Sequence, residues 1–333
     1  MKVAVVGSGG WGTALALVLL ENGHEVTLWS FSEKEAEILR TQRENPLLKG
    51  VALPAALKIC TEIACVAEKE LVVFATPSFA VRETAQKAAP YLGDGTLVVS
   101  VSKGIEKGTS LRLSQIIDEE TKGRCRIVAL SGPSHAEEVG RHVPTGCVAA
   151  SLDREAAEMV QDAFMNERFR IYSSPDIVGV ELAAALKNVI ALCYGVCDGL
   201  GYGDNTRALL MTRGLTETAR LGVAMGGKKE TFAGLAGVGD LIVTCTSMHS
   251  RNHRAGILIG QGKSVEEALK EVGAVVEGYY ATDTVRTLAG KYGIEMPISE
   301  GAYQVLYNDR HAKDVLMELM CRDKKHEIED ASW

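Results

Sequence analysis

One lysine of this sequence lies within an almost wholly apolar stretch, "ELAAALKNVIALCYGV", at residues 181–196. The residues three or four positions from Lys187, which would share its face of a helix, are all apolar: Ala183, Ala184, Ile190 and Ala191. Burial disfavours the charged form of a lysine and lowers its pKa towards the range useful for proton transfer. Lys187 is therefore a candidate proton donor and acceptor, with Asn188 beside it to fix a substrate. A lysine that reaches the surface or closes a structural ion pair explains this segment equally well.

A second segment, "GVGDLIVTCTSMHSRNHRAG", contains residue types that bind phosphate. It supplies Asp240 and Thr244, followed by a basic cluster: His249, Arg251, Asn252, His253 and Arg254. Arginine presents two parallel N–H donors to a phosphate, so the cluster is a candidate phosphate clamp. By itself, such a run is more often a solvated basic turn.

The spacing of Cys245, His249 and His253 raises the question of zinc. No fourth ligand and no second cysteine–histidine pair lies nearby in the sequence, so we expect no metal site. The Gly-x-Ser-x-Gly elbow of serine hydrolases is also missing, which disfavours nucleophilic catalysis.

The stretch "VAVVGSGGWGTALALVLLENG" places Gly7, Gly9 and Gly12 in the spacing G-x-G-x-x-G between a buried strand and an amphipathic helix. In this context the first glycine permits a tight turn, the second lets the backbone approach a pyrophosphate, and the third lets helix and strand pack closely. The helix N-terminus then offers free N–H groups to the anion. The sequence therefore predicts a dinucleotide cofactor.

The residues after the second predicted strand, "LWSFSEKE", leave the phosphate state of that cofactor open. An acidic residue there would bind a ribose 2′-hydroxyl, and an arginine would accommodate a 2′-phosphate, but neither is present at the strand end. Ser30 suits either form, and Lys34 suits a phosphate. Ser32 is expected to cap the next helix.

Two further stretches place polar groups just after predicted strands, where the crevice of a parallel sheet lies. "VSKGIE" contributes Lys103, and "LSGPSHAEE" contributes Gly132 and Ser134.

The elements that would position these residues change character along the chain. Short β-branched runs alternate with helical stretches through the first half: "KVAVVG", "EVTLWS", "LVVFAT", "TLVVSVS", "RIVAL", "CVAAS" and "RFRIYSS". This alternation predicts an α/β Rossmann-like domain with a mostly parallel sheet over residues 1–174. An all-α domain is predicted over 175–333, beginning with Ser174 as N-cap and Pro175 at the first helical position, and ending in the charged tail "RDKKHEIED".

Bulk properties narrow the function. The chain has 333 residues and a net charge of −7, which disfavours nucleic acid as a partner. The start of the sequence lacks signal-peptide features, and the most apolar helix contains Glu181 and Lys187, so we expect a core helix, no integral membrane segment and a cytoplasmic location. Eight scattered cysteines indicate free thiols.

Together these motifs resemble the NAD(P)-dependent glycerol-3-phosphate dehydrogenases of the bacterial soluble type. The matching stretches run from residue 7 to about 278: "GSGGWGTALA", "VSKGIE", "SGPSHAEEV", "ELAAALKNVIAL", "GLGYGDN", "GVGDLIVTCTS", "HSRN" and "VVEG". The resemblance implies a Rossmann domain followed by a helical domain. It also implies reversible reduction of dihydroxyacetone phosphate to sn-glycerol 3-phosphate, the phospholipid precursor, and suggests a homodimer.

The resemblance assigns roles by matching motif. Lys187 is implied as the proton donor and acceptor. The implied substrate contacts are Lys103, Gly132, Ser134, Asn188, Asp240, Thr244, Ser250, Arg251 and Asn252. The implied cofactor contacts are Gly7, Gly9, Gly10, Trp11, Gly12, Phe31, Lys103, Ala136, Arg251, Val275 and Glu277.

Two departures from the family pattern concern the cofactor. The family often has serine before the tryptophan of the first turn, where this chain has Gly10. Many bacterial members carry His-Arg after the second strand, which suits NADPH, whereas this chain has Phe31 and Ser32. We expect NADP or NAD, with NADPH slightly favoured by the resemblance.

Two other functions compete with this one. A relative of the 3-hydroxyacid or 6-phosphogluconate dehydrogenases would also pair a Rossmann domain with a helical domain and a Lys-Asn site, but "HSRN" and "GVGDLIVTCTS" favour the first family. A nicotinamide-responsive regulator without catalysis would have no use for Lys187 in an apolar helix, although a fold alone never proves a function.

Overall fold

The computed structural model describes residues 1–327. The predicted charged tail is exposed as far as residue 327, and its last part, 328–330, lies outside the described residues. The eight cysteines are free thiols.

The first part of the chain builds one sheet. Its strands are β1 (Lys2–Val6), β2 (Glu25–Trp29), β3 (Lys58–Cys60), β4 (Leu71–Phe74), β5 (Leu97–Ser100), β6 (Arg126–Ser131), β7 (Thr145–Ala150) and β8 (Phe169–Ser174). Their spatial order is β3-β2-β1-β4-β5-β6-β7-β8, and every neighbouring pair is parallel except β6 and β7. The predicted mostly parallel sheet is confirmed. The order reverses between β1 and β4, and such a switch point opens a crevice at the carboxyl ends of the strands.

Helices cover the sheet on both faces. They are α1 (Gly10–Glu21), α2 (Glu33–Gln42), α3 (Val81–Ala88), α4 (Leu113–Thr121), α5 (Ala136–Val139) and α6 (Arg154–Phe164). Two apolar clusters result, because alternate residues of the central strands point to opposite faces: Val3 and Val5 belong to one, and Ala4 and Val6 to the other.

The sequence missed β3. It has three residues and pairs with β2 alone at the edge of the sheet, so it shows no alternation long enough to recognise.

The second part of the chain is helical, as predicted. Its helices are α7 (Ile177–Gly199), α8 (Asp204–Ala224), α9 (Lys229–Phe232), α10 (Asp240–Thr246), α11 (Arg251–Gly260), α12 (Val265–Val272), α13 (Glu277–Tyr292), α14 (Pro297–Tyr307) and α15 (Ala312–Met320). A π-helical turn, Leu235–Gly239, leads into α10. We propose the same domain division at 174/175, since β8 ends at Ser174.

The predicted start of α7 was wrong by two residues. Asp176, not Ser174, is the N-cap: its carboxylate accepts a hydrogen bond from the Gly179 N–H at 2.9 Å. The Ser174 hydroxyl instead accepts from the Asp176 N–H at 3.2 Å. A carboxylate suits the N-cap because it also meets the positive end of the helix dipole.

Helix α7 is long and apolar enough to cross a membrane, yet 89% of its most apolar 18-residue window is buried inside the protein. It packs against α8, α10, α11 and α13. The prediction of a core helix is confirmed.

Backbone contact joins α7 to α11, through two glycines on each helix. A Cβ atom at Gly195 would lie 2.1 Å from the His253 carbonyl oxygen, and one at Gly256 would lie 2.1 Å from that of Leu192. Gly199 and Gly260 repeat the contact one turn along, at 2.2 Å from the Ile257 oxygen and 2.3 Å from the Val196 oxygen. Only glycine permits this approach, which joins the helix carrying Lys187 to the helix carrying Arg251.

We expect Gly256→Ala to lower the free energy of unfolding by about 1–3 kcal/mol, because the added methyl group must displace the backbone of α7. Thermal and urea unfolding measure the change. The matched control is Gly290→Ala in α13, where a Cβ meets nothing within 4 Å. That variant should gain about 0.5–1 kcal/mol from reduced backbone entropy. Equal stability of the two variants would contradict the close approach of α7 and α11.

Candidate active site

Three charged residues meet between the sheet and the helical part. Asp240, the first residue of α10, is 1% exposed. Its Oδ1 lies 2.7 Å from the Lys187 ammonium and its Oδ2 lies 2.8 Å from the Lys103 ammonium. Lys187 comes from the middle of α7 and is 5% exposed, whereas Lys103 follows β5 in the crevice of the sheet and is partly exposed.

The three charges set each other's protonation. Burial lowers the pKa of Lys187 from 10.5 to about 8, against the opposing effect of Asp240. Burial alone would raise the pKa of Asp240, but Lys103 and Lys187 hold it below its ordinary value. The carboxylate is thus ionised, while Lys187 can gain or lose a proton near neutral pH.

Further hydrogen bonds orient the two lysines. Lys187 donates to the Thr244 hydroxyl, one helical turn along α10, and to the Asp240 carbonyl at 3.4 Å. Lys103 donates to the Gly132 carbonyl at 3.2 Å. The Ser134 hydroxyl donates to the same carbonyl at 2.9 Å, so the Ser-Gly-Pro turn after β6 belongs to this network.

Asn188 and Asn252 connect three helices beside the lysines. The Asn252 amide donates to the Asn188 side-chain oxygen at 3.0 Å and accepts from the Gly278 N–H at 2.8 Å. Both side chains are buried, so α7, α11 and α13 are fixed relative to one another at this point.

The predicted phosphate clamp lies at the start of α11. Ser250 is its N-cap, with the hydroxyl accepting from the His253 N–H at 3.2 Å. Arg251 is the first helical residue, and it is exposed. An exposed guanidinium beside free helical N–H groups can bind an anion. His253 faces Asp198 at 2.8 Å and the Ser247 carbonyl at 3.3 Å.

The glycine loop between β1 and α1 has the predicted geometry. Gly7 has φ +123°. A Cβ at Gly12 would lie 2.0 Å from the Gly7 carbonyl oxygen. A Cβ at Gly9 would meet nothing within 4 Å, so the backbone is open to a ligand there. The loop therefore fits a pyrophosphate, and Gly7, Gly9 and Gly12 would present it to the N-terminus of α1.

Trp11 and Ala136 lie beside this loop. Trp11 is half-buried and packs edge-on against Phe169, with ring centroids 6.4 Å apart. The Ala136 Cβ is 3.6 Å from the position that a Cβ at Gly10 would take, which brings α5 against the start of α1.

The side chains that follow β2 differ in solvent exposure and in their hydrogen bonds. Phe31 is 77% exposed and lies 5.7 Å below the Lys87 ammonium. Ser32 caps α2 as predicted, accepting from the Glu35 N–H at 3.3 Å. Ser30 is fully buried, and its hydroxyl accepts from the Ser8 hydroxyl at 2.8 Å and donates to the Ser32 carbonyl at 3.2 Å.

Glu277 begins α13, and its carboxylate accepts a hydrogen bond from the Ser78 hydroxyl, which lies 2.9 and 3.0 Å from its two oxygens. Val275, two residues earlier, is half-buried. Ser78 follows β4 and lies against Gly104, next to Lys103.

Sequence reasoning missed Ser78, His135 and Asn45. Ser78 follows a predicted strand, which was a usable signal. His135 bonds the Val243 carbonyl at 3.2 Å across to α10, and burial lowers its pKa. Asn45 is buried, but it lies in a loop without periodicity, so no sequence pattern indicates its burial.

Comparison with known proteins agrees with this geometry. The family model described as NAD-dependent glycerol-3-phosphate dehydrogenase N-terminus matches residues 2–157, and the corresponding C-terminus model matches residues 176–317. The chain belongs to this family. The activity and the family that the sequence predicted are therefore confirmed: the protein is an oxidoreductase that uses NAD or NADP.

Full-length relatives support the assignment. The chain is 54% identical to the glycerol-3-phosphate dehydrogenase [NAD(P)+] of Desulfitobacterium hafniense, covering 99% of this chain and 94% of that one. It is also 54% identical to the enzyme of that name from Moorella thermoacetica, covering 100% and 99%. The solved glycerol-3-phosphate dehydrogenase of Coxiella burnetii superposes with a TM-score of 0.92 at 37% identity, covering 96% and 99%.

We expect Asp240→Asn to lower the pKa of Lys187 below about 8, because the carboxylate is the group that raises it. If Lys187 donates the proton to the ketone oxygen, as proposed below, reduction needs its ammonium form, and the rate should then begin to fall at lower pH than in the unchanged protein. The pH dependence of kcat for ketone reduction measures this shift. An unmoved midpoint would show that Asp240 does not set the charge of Lys187.

Proposed function

We propose that the protein reversibly reduces dihydroxyacetone phosphate at C2 to sn-glycerol 3-phosphate, with Lys187 as the proton donor and acceptor. The observation that supports this role is the pairing of Lys187 and Lys103 on opposite oxygens of buried Asp240. Lys187 is the more buried of the two lysines, and burial lowers its pKa to about 8, which suits it to transfer a proton.

The chain supplies charge, orientation and a proton. A bound reduced nicotinamide supplies hydride to C2 of the ketone. The Lys187 ammonium donates a proton to the oxygen at C2, and in the reverse direction the neutral amine accepts it. Asp240 and Thr244 hold the Lys187 nitrogen in place before and after the transfer. The Lys103 ammonium adds positive charge where negative charge develops on oxygen.

The substrate phosphate is assigned to the start of α11. Arg251 offers a bidentate guanidinium, and the helix N-terminus adds N–H groups and the positive end of its dipole. Ser250 holds this terminus in shape, and Asn252 ties it to Asn188 beside Lys187. We also assign Gly132 and Ser134 to the substrate side, because both belong to the Lys103 network.

The cofactor contacts are assigned to the glycine loop with Gly10 and Trp11, to Ala136 and Phe31, and to Val275 and Glu277. NADPH is slightly favoured by the resemblance. Phe31 and Lys34 are both exposed after β2, and we assign selection of the adenosine phosphate to them.

We further propose a cytoplasmic enzyme that supplies sn-glycerol 3-phosphate for glycerophospholipid synthesis, working as a homodimer. The family resemblance supports each of these points. Sedimentation of the purified protein tests the dimer.

We expect the purified protein to oxidise NADPH and NADH with dihydroxyacetone phosphate, and Lys187→Ala to abolish both reactions while still binding the reduced cofactor. Absorbance of the reduced nicotinamide measures turnover, and its fluorescence measures binding. Retained turnover in Lys187→Ala would refute the proton-transfer role, whereas no turnover in the unchanged protein would refute the substrate.

We expect Arg251→Ala to raise the KM for dihydroxyacetone phosphate by about tenfold or more, because a charge-assisted bidentate contact is lost. The matched control is Arg154→Ala, since Arg154 is also the first residue of a helix and is exposed, away from the cleft. Steady-state kinetics measure both variants. An unchanged KM in Arg251→Ala would place the phosphate elsewhere.

A further inference from the structure

A loop of residues 43–53 lies across the outside of the glycine loop. An antiparallel bridge between Glu44 and Ala52 closes its base, and the Leu53 N–H donates to the Arg43 carbonyl at 2.8 Å. Leu48 is buried against the position of Gly140, just after α5. The 43–53 loop therefore packs between the glycine loop and α5, the two segments assigned to the cofactor.

Asn45 makes the contact between the two loops. It is 2% exposed, and its amide nitrogen donates to the Ser8 carbonyl at 2.9 Å and to the Thr13 hydroxyl at 2.7 Å. Its side-chain oxygen accepts from the Leu47 N–H at 2.9 Å. Both amide hydrogens and the side-chain oxygen of Asn45 are thus hydrogen-bonded. In the opposite orientation of the amide, its NH2 group would face the Leu47 N–H, a second donor, so the orientation is determined.

The bond to Ser8 determines where the next N–H group points. In a trans peptide the carbonyl and the following N–H point in opposite directions. Because the Ser8 carbonyl points to Asn45, the Gly9 N–H points away from the 43–53 loop. We infer that Asn45 is a positioning residue for the dinucleotide: it fixes the glycine loop with the Gly9 N–H facing the pyrophosphate. This inference rests on the cofactor site proposed above.

The same packing explains Gly10. A Cβ there would lie 2.8 Å from the Leu47 carbonyl oxygen, a backbone atom. Serine, the residue often found at this position in the family, would push the 43–53 loop outward and disturb Asn45. Gly10→Ser should therefore weaken cofactor binding in this chain, although the substitution adds a hydroxyl group.

The test is the dissociation constant of NADPH and of NADH, measured by nicotinamide fluorescence without substrate. For Asn45→Asp and Asn45→Ala we expect an increase of about tenfold or more, since both variants lose the two hydrogen bonds that the amide nitrogen donates. At saturating cofactor, kcat and the KM for dihydroxyacetone phosphate should stay within about twofold, because the lysine network is untouched. Gly10→Ser should shift the dissociation constants in the same direction.

The control is Asn166→Ala. Asn166 also holds a turn through its side-chain oxygen, accepting from the N–H groups of Arg168 and Phe169 at 2.9 and 2.8 Å, but outside the glycine loop. Asn166→Ala should lower the stability of the protein without changing the cofactor dissociation constants.

Thr13→Val is the alternative variant if the Asn45 variants fail to fold. It removes one of the two acceptors of the Asn45 amide with little change of shape, and it should raise the cofactor dissociation constants by a smaller factor.

Unchanged cofactor dissociation constants in the folded variants, or an equal increase in Asn166→Ala, would overturn the role of Asn45. Since these measurements are made without a ketone, their outcome does not depend on the identity of the substrate. Loss of cofactor binding in the unchanged protein would instead refute the proposed site.

Discussion

The buried carboxylate of Asp240 is the interaction on which the site depends. It lies between two ammonium groups, one carried by α7 and one by the segment just after β5. Removing three charges from water costs several kcal/mol per ion, and the attraction between them offsets this cost only when the geometry is good. Removing Asp240 would leave two ammonium groups close together without their common counter-ion, whereas removing one lysine would leave a single ion pair. The arrangement therefore favours one relative placement of α7, α10 and β5 over slightly shifted ones.

Other polar contacts also hold the sheet part and the helical part in one relative position. Glu181, in α7, accepts from the Ser114 N–H at 2.8 Å and pairs with Arg112 at the start of α4. Ser78 and Glu277 join the loop after β4 to α13. Each contact links a residue of the sheet part to a helix of the second part. The crevice between them is thus bordered by polar pairs rather than by apolar packing alone.

Features that depend on neighbouring residues could be predicted from the sequence, whereas contacts between residues far apart in the chain could not. The glycine loop follows from spacing alone, because each glycine answers a constraint within a few residues, and its φ and contacts agree. Lys187 was recognised because apolar neighbours surround it along one helix. Its partner Asp240 is 53 residues away, and Lys103 is 137 residues from Asp240, so no periodicity could pair them. The serines differ: the cap at Ser32 depends on the next three residues and was predicted, whereas the partner of Ser30, Ser8, is 22 residues away and could not be.

The paired glycines of α7 and α11 have a consequence for how the molecule opens. Two helices in backbone contact cannot separate by side-chain rearrangement, so their amides become accessible only when the whole pair comes apart. Local opening draws on weakly packed segments, whereas tightly packed pairs exchange only through larger unfolding. In hydrogen exchange, the amides in the middle of α7 and α11 should then belong to the slowest group, together with the central strands. Lys187, the proposed proton donor and acceptor, would thus lie in one of the most rigid units of the protein, and the motions that admit and release ligands would belong to the loops around it.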